Sequence, residues 1–330
     1  MNLNLRALLS ALCFLLILGY SSRGDSQELR KIHVAIPSVS PVATPFVVAK
    51  ERGYYREEGL EVELVVMRAA WTIQALVGGN VDFSSAGGAG LPPVLRGAPI
   101  RFLFTTFNRP MFWLYAKPDI GSIEELKGKK VGVSSIGSGP DSLLRDLLKK
   151  HGLEGGRDVA IMAIGEGQAR YFALKAGSVD AAMIGLPAYF PTKEAGFREL
   201  FSFIKQEDLV ELQGSVIVRE ELVESAPALV ERFLRGSLKG FRFLRENRSG
   251  TIPILARFMR SKEDVAGRLY DLIRPGITRD GTLSEEMQRK SLEHILERVG
   301  LKEPPPPEKI FSFSLARKLH DELQAKGWKP

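Results

Sequence analysis

The chain has 330 residues, of which 44% are hydrophobic and 26% are charged. This composition fits a folded protein of about two domains, and no second apolar run long enough to span a membrane follows the N-terminal one. The formal net charge is +7, but lysines and arginines alternate with acids, so the sequence has no basic stripe for nucleic acid. The only cysteine is Cys13, which leaves the rest of the chain without a disulfide, a thiolate nucleophile or a cysteine-ligated metal site.

The first 24 residues have the pattern of an export signal. Arg6 precedes an apolar run over residues 7–18, and small and polar residues follow it. This order is typical of a secretory signal peptide, and the apolar run is shorter than a membrane span requires. We expect cleavage near Gly24, with Gly19 and Ser21 as the alternative, and a mature protein outside the cytoplasm. A lipid-modified cysteine is a further alternative, although the lone cysteine lies inside the apolar run.

From residue 31 onward, short apolar runs alternate with helix-like segments. The predicted elements are a strand at 32–36, a helix at 45–53, a strand at 60–67, a helix at 70–77, a strand at 81–85, a short helix opened by Pro92 and Pro93, and a strand at 100–106. This alternation of strands and helices predicts a mostly parallel sheet with helices on both faces.

A second block repeats the alternation. Its predicted elements are strands at 130–134, 159–164 and 179–184 and helices at 139–151, 168–176 and 187–195. Ser138 and Asp141 have the spacing of a capping pair at the start of the helix at 139–151. After a strand at 215–218 the chain is mainly helical, with helices predicted at 227–246, 285–299 and 314–324.

Two strand-to-helix turns, at 84–90 and 134–139, are rich in serine and glycine. In a parallel sheet such turns lie at the carboxyl ends of the strands, where α/β proteins bind ligands. The free amides of a helix N-terminus attract anionic oxygens. The two turns therefore predict a site for a carboxylate, sulfonate or phosphate group, and the alternative is that these residues serve only as turn and cap residues.

Motifs for catalysis are missing from the sequence. It contains no G-x-S-x-G nucleophile elbow, no phosphate-binding G-x-x-x-x-G-K-[ST] loop and no paired-histidine metal motif, and its four histidines are scattered. We therefore expect no catalytic residues, no metal and no cofactor.

The order of several short motifs resembles a known family. The motifs are Val34-Ala35-Ile36, the run at 81–87, the run at 126–133, and the segment at 173–187. Over about residues 30–260 the chain resembles the periplasmic solute-binding proteins of the nitrate, taurine and alkanesulfonate family, which also includes binders of thiamine and riboflavin precursors. The resemblance implies a type II α/β binding protein: two lobes, two crossover strands, and a small, anionic organic ligand held between the lobes by hinge closure.

The resemblance also implies a domain division and a set of contacts. We expect residues 30–116 and 213–330 in lobe one and 117–212 in lobe two, with hinges at 115–118 and 212–216. The expected ligand-binding residues are Ser38, Ser40, Trp71, Ser85, Gly87 and Gly88 from lobe one, and Ser135, Gly137, Ser138, Asp141, Glu166, Pro187 and Tyr189 from lobe two. The candidate cations near the cleft are Arg68, Arg109 and Arg170.

Three roles fit such a fold. The first is the receptor of an ATP-driven importer, whose partners would be the small-molecule ligand, a membrane permease and its ATPase; we expect a monomer that binds no nucleic acid. The second is a binding protein that feeds a membrane sensor. The third is an enzyme, because the eukaryotic synthases of the thiamine pyrimidine share the fold. Those synthases carry a cysteine-rich motif, which this sequence lacks.

Overall fold

The computed structural model describes residues 28–330 except Glu166 and Pro187; for Ala70, His294, Glu297 and Arg298 the backbone alone is described. The expected signal peptide lies outside the described residues. Ten strands are formed, in chain order: β1 (Arg30–Ile36), β2 (Leu60–Val66), β3 (Phe83–Ser84), β4 (Ile100–Phe107), β5 (Phe112–Ala116), β6 (Lys130–Val133), β7 (Ala160–Ala163), β8 (Ala181–Gly185), β9 (Arg198–Ser202) and β10 (Gln213–Arg219).

Thirteen α-helices lie between and after these strands in the described part of the chain. They are α1 (Thr44–Glu51), α2 (Tyr54–Glu57), α3 (Ala69–Val77), α4 (Gly87–Leu95), α5 (Gly139–Lys150), α6 (Gly167–Lys175), α7 (Tyr189–Glu194), α8 (Glu220–Ser225), α9 (Pro227–Glu246), α10 (Arg248–Met259), α11 (Glu263–Ile273), α12 (Glu285–Val299) and α13 (Ser314–Ala325).

The strands form two five-stranded sheets, which confirms the predicted two-lobe α/β fold. Sheet one has the order β2-β1-β3-β10-β4 and sheet two the order β7-β6-β8-β5-β9. In each sheet one strand runs antiparallel to its neighbours, β10 in sheet one and β5 in sheet two. These are the two strands that follow the chain's crossings between the sheets, so each crossing reverses the strand direction.

Helices cover both faces of each sheet. One face of sheet one packs on α1, α9 and α13, and the other packs on α3, α4 and α12. Sheet two packs on α5 on one face and on α6 and α7 on the other. The periodicity that predicted α9 is explained by this packing, because Phe233, Leu234, Leu238 and Phe241 are all fully buried along one side of the helix.

The strand β5 corrects the expected lobe boundary. The sequence analysis placed residues up to 116 in lobe one, but Phe112–Ala116 pairs with β8 and β9 in sheet two. The first crossing between the sheets is therefore at residues 108–111, immediately after β4, and not at 115–118. The second crossing occupies residues 206–212, just before β10.

The C-terminal helices also differ from the expected division. α10 and α11 contribute Leu255 and Tyr270 to the same apolar cluster as Trp113 of sheet two. In addition, Arg268 of α11 donates a hydrogen bond to Glu194 of α7 at 2.8 Å. Residues 248–273 therefore contact lobe two, although they follow β10 in the chain.

Candidate functional site

The carboxyl ends of β1 and β2 form one part of the candidate site. Ser38, in the turn after β1, is exposed and donates a hydrogen bond to Ser40 Oγ at 3.0 Å. Trp71, near the start of α3, is 56% exposed, and the guanidinium of Arg68 lies 5.5 Å from the centre of its ring. Val66 at the end of β2 is exposed as well. This edge of lobe one thus presents an accessible aromatic ring, a cation and hydroxyl groups.

The turn after β3 is more tightly packed than the sequence suggested. α4 begins at Gly87, five residues before the predicted start at Pro92. A Cβ on Gly87 would overlap the carbonyl oxygen of Leu212 and lie 2.5 Å from Ser215 Oγ. Gly87 therefore faces the second crossing, where the backbone requires glycine, and does not offer open space to a ligand.

Two other residues of this turn keep a possible ligand role. Ser85 is 1% exposed, and its Oγ has no hydrogen-bond partner among the described residues. Because buried polar groups are nearly always satisfied, such a hydroxyl is a candidate for an interaction with a bound molecule. A Cβ on Gly88 would stand at ordinary contact distance from its nearest neighbours, so this position has room beside it.

The turn after β6 has a different hydrogen-bonding pattern from the one predicted. Ser138 Oγ donates to the carbonyl oxygen of Ser135 at 2.6 Å and does not cap the helix. Asp141 supplies the other half of the predicted pair, since its Oδ2 accepts a hydrogen bond from Gly137 N–H at 2.7 Å. Gly137 has a φ of +78°, a left-handed conformation that favours glycine. Ser135 and the neighbouring Ile136 are exposed.

Asp141 is held by its own lobe. It is 2% exposed, and its second oxygen, Oδ1, accepts a hydrogen bond from Arg145 Nε at 2.9 Å. Both oxygens therefore have partners within the turn and the helix it opens. The carboxylate fixes the turn geometry, and we assign it a positioning role.

Tyr189 lies inside lobe two. Its ring centre is 4.5 Å from that of Trp113, and its hydroxyl donates to Glu199 Oε2 at 3.3 Å. Burial and the charge of Glu199 raise the pKa of the Tyr189 hydroxyl. The side chain is thus a core residue of this lobe. Glu166 and Pro187, the two other residues predicted from this part of the chain, lie outside the described residues.

The three candidate cations have different surroundings. Arg68 stacks on Trp71 at the exposed edge described above. Arg109, on the first crossing, binds Glu207 of the second crossing with an Nη2–Oε1 distance of 3.1 Å. Arg170 is 3% exposed, and its Nη1 donates to the carbonyl oxygen of Gly165 at 2.6 Å. Arg170 therefore lies at the carboxyl edge of sheet two, close to the turn after β7.

Glu211 was not predicted, and it connects the two turns. Its Oε1 lies 3.6 Å from the point where a Cβ would stand on Gly88 of lobe one. The same oxygen lies 3.6 Å from the corresponding point on Gly139 of lobe two. The first turns of α4 and α5 therefore face each other across one carboxylate. Only its proximity to the predicted hinge at 212–216 could have drawn attention to this residue in the sequence.

Two structural features bear on the kind of protein. No helix in the described ranges is long and apolar enough to cross a membrane. Nor do the described residues contain a group of three or more histidine, cysteine, aspartate or glutamate side chains placed to hold a metal ion.

Two curated proteins are similar to parts of the chain. The riboflavin-binding protein RibY of Chloroflexus aurantiacus is 28% identical over 209 residues, which are 59% of this chain and 57% of that protein. The 4-amino-5-hydroxymethyl-2-methylpyrimidine phosphate synthase of Schizosaccharomyces pombe is 31% identical over 118 residues, 34% of each chain. The chain thus spans less than two thirds of the length of either curated relative.

A solved structure is similar over almost the whole chain. The periplasmic sulfonate-binding protein SsuA of Methylobacillus flagellatus matches with a TM-score of 0.72 at 18% identity, covering 92% of this chain and 98% of that one. At this identity the likeness shows a shared fold, and that fold is the two-lobe α/β architecture of a periplasmic binding protein.

A family model identifies the relationship at the level of sequence. The model described as "NMT1/THI5 like" matches residues 40–249. The matched region includes β2 to β10 and therefore both crossings, both glycine-rich turns and all of sheet two. Since it covers well over half of the sequence, the chain belongs to the NMT1/THI5-like family.

Proposed function

We propose that this protein is an extracytoplasmic receptor that captures a small organic solute between its two lobes and closes on it. The observation that carries the proposal is the position of Gly88 and Gly139 on either side of Glu211, since it brings the ligand-binding edges of two separate sheets together. The family membership and the two-lobe fold support the same role.

The exposed side chains at these edges favour an organic solute over a simple inorganic ion. Trp71 and Val66 in lobe one and Ile136 in lobe two each expose more than half of their surface. Exposed apolar groups beside a few polar ones are typical of a small-molecule site. Closure would bury these groups together with the ligand, and the apolar area removed from water would favour the closed form.

The partners follow from the receptor role. A membrane permease and its ATPase would take the ligand from the closed form, and the expected export signal agrees with a location in the periplasm or another extracytoplasmic space. A receptor that feeds a membrane sensor would use the same closure, and the contacts described above suit both. We propose a monomer without catalytic activity.

An enzymatic role is the second candidate, because the pyrimidine phosphate synthase is among the relatives. In the described part of the chain, however, the candidate site presents serines, glycines, an aromatic ring and a carboxylate, with no nucleophile held by a neighbouring base. This set of groups is suited to binding and poorly suited to group transfer.

A thermal-shift panel tests the receptor function. The purified mature protein would be heated with nitrate, taurine, alkanesulfonates, riboflavin and 4-amino-5-hydroxymethyl-2-methylpyrimidine. A ligand at 100 times its dissociation constant adds about 2.7 kcal/mol to the free energy of unfolding, so one class should raise the melting temperature clearly. No shift with any class would contradict the receptor function, and conversion of a bound compound would support the enzyme.

A further inference from the structure

The position of Glu211 bears on which ligands the site accepts, and this inference rests on the proposed receptor function. Glu211 lies on the second crossing, and its main-chain N–H is bonded to Asn108 on the first crossing at 3.1 Å. The backbone is therefore fixed at the point where the lobes join. The side chain extends from there to a place between Gly88 and Gly139.

The carboxylate stands where an anionic ligand group would be expected to bind. Gly88 is the second residue of α4 and Gly139 is the first residue of α5. Helix N-termini favour negative charge, and the protein's own carboxylate lies beside both of them. Neither glycine has a side chain to separate the carboxylate from the backbone, and Oε2 is buried.

A second negative charge at this point would be unfavourable. Like charges placed together in a cleft repel each other, and the repulsion is strong where water is excluded. A sulfonate, nitrate or carboxylate group would therefore have to displace Glu211 from between the helices. A ligand that presents an N–H group would instead donate a hydrogen bond to the carboxylate, and hydrogen bonds to a charged acceptor are the stronger ones.

Two neighbouring groups agree with a polar heterocycle. Ser85 Oγ, in the turn that precedes α4, is buried and has no hydrogen-bond partner among the described residues. Trp71 exposes its ring at the same edge of lobe one. A planar nitrogen-containing ring could stack on the indole while its polar edge reaches the hydroxyl and the carboxylate.

We propose that Glu211 is a specificity-determining residue that accepts a hydrogen bond from an N–H group of a neutral or cationic nitrogen heterocycle and excludes anionic groups from the space between Gly88 and Gly139. The sequence alone led us to expect an anion at this place, because it showed the helix N-termini and not the acid that lies between them.

Binding measurements on the full mature protein test the inference. Titration calorimetry would compare a 4-aminopyrimidine and an isoalloxazine with ethanesulfonate, for the native protein and for Glu211→Gln. We expect the native protein to bind at least one heterocycle at least tenfold more tightly than ethanesulfonate. In Glu211→Gln the ratio of the two affinities should shift by at least tenfold toward the sulfonate, because the negative charge is gone.

Glu207→Gln is the matched control. Glu207 is on the same crossing, is 86% exposed and pairs with Arg109, so its loss should leave the affinity ratio unchanged. Tighter binding of ethanesulfonate by the native protein, or an unchanged ratio in folded Glu211→Gln, would overturn the inference while leaving the receptor function intact. Binding of neither class would contradict both. If Glu211→Gln does not fold, the preference of the native protein decides.

Discussion

The main-chain N–H of Glu211 donates to the carbonyl oxygen of Asn108 at 3.1 Å. This bond joins the two segments that cross between the lobes, and the ion pair between Arg109 and Glu207 joins them a second time. Hinge motions are absorbed by a few residues at such crossings. Because the segments are bonded to each other, we expect them to bend together when the lobes open and close.

The approach of the two lobes can be tested by cross-linking. In a mature chain, which has no cysteine if the export signal is removed, Gly88→Cys and Gly139→Cys would place two thiols on either side of Glu211. Both positions have room for a side chain. A short bismaleimide should join them within one molecule, and mass spectrometry of the digested protein would detect the linked peptides.

The control pair is Gly88→Cys with Lys150→Cys. Lys150 is the last residue of α5, and a helix of this length places its two ends roughly 16 Å apart. The short reagent should not join this pair. Equal cross-linking of both pairs, or failure of the first pair in folded protein, would contradict the described approach of α4 and α5.

Two adjacent glycines should respond differently to substitution. Gly87→Ala puts a methyl group into the backbone of Leu212, and overpacking of this kind costs roughly 1–3 kcal/mol of unfolding free energy. Gly88→Ala has space for the methyl group, so its stability should change by less than about 1 kcal/mol. Its ligand affinity should nevertheless fall, because the methyl group enters the space beside Glu211.

Urea denaturation and calorimetry separate the two effects. The expected pattern is a clearly lower unfolding midpoint for Gly87→Ala, and a nearly native midpoint with weaker binding for Gly88→Ala. Equal stability of the two variants would show that the close approach of Gly87 to the second crossing is wrong.

Trp71 should report ligand binding by fluorescence. It is one of three tryptophans, and it is 56% exposed at the edge of lobe one, whereas Trp113 is buried in lobe two. Ligand binding should change the emission of the native protein, and Trp71→Phe should abolish most of that change. Affinity should fall about tenfold or less, since an aromatic pair contributes roughly 0.5–1.5 kcal/mol beyond burial.

Trp328→Phe is the comparison for that experiment. Trp328 makes an edge-on contact with Tyr54, with ring centres 5.5 Å apart, so its replacement should affect stability and leave the ligand response in place. A full fluorescence response in Trp71→Phe would place the ligand away from this edge.

The ion pair between Lys117 and Asp180 should make lobe two sensitive to acid. Burial opposes the charged form of Asp180, but hydrogen bonds from Lys117 Nζ at 2.7 Å and from Lys130 N–H at 2.9 Å outweigh it and lower the pKa of the carboxyl. A group whose pKa is lower in the folded state stabilises the fold above its unfolded pKa, near 3.9, and loses that contribution as the pH falls through the folded value.

Asp180→Asn should therefore cost about 2 kcal/mol of unfolding free energy at pH 7. The difference from the native protein should persist down to about pH 4 and shrink below it. Denaturant curves between pH 7 and pH 2.5 measure this dependence, and Asp321→Asn, at an exposed position on α13, is the control. A difference that grows as the pH falls would have the wrong sign for the proposed pair.

Local patterns in the sequence determined most of the secondary structure. The helix predicted at 227–246 forms with the same bounds as α9, because its apolar residues recur at helical spacing and that spacing alone specifies a buried side. The alternation of strands and helices likewise determined the α/β class, and the order of short motifs indicated the family and the two lobes. These features depend on residues close together in the chain.

Tertiary structure alone decided the composition of the candidate site. β5 joins sheet two because Trp113 pairs with Ile184, about 70 residues further along the chain, and no local pattern encodes such a partner. Tyr189 became a core residue and Gly87 a packing contact for the same reason. Glu211 was hidden in the sequence as one acid among many. It gained a place between Gly88 and Gly139 only when both crossings brought the two sheets together, since its surroundings come from three distant segments.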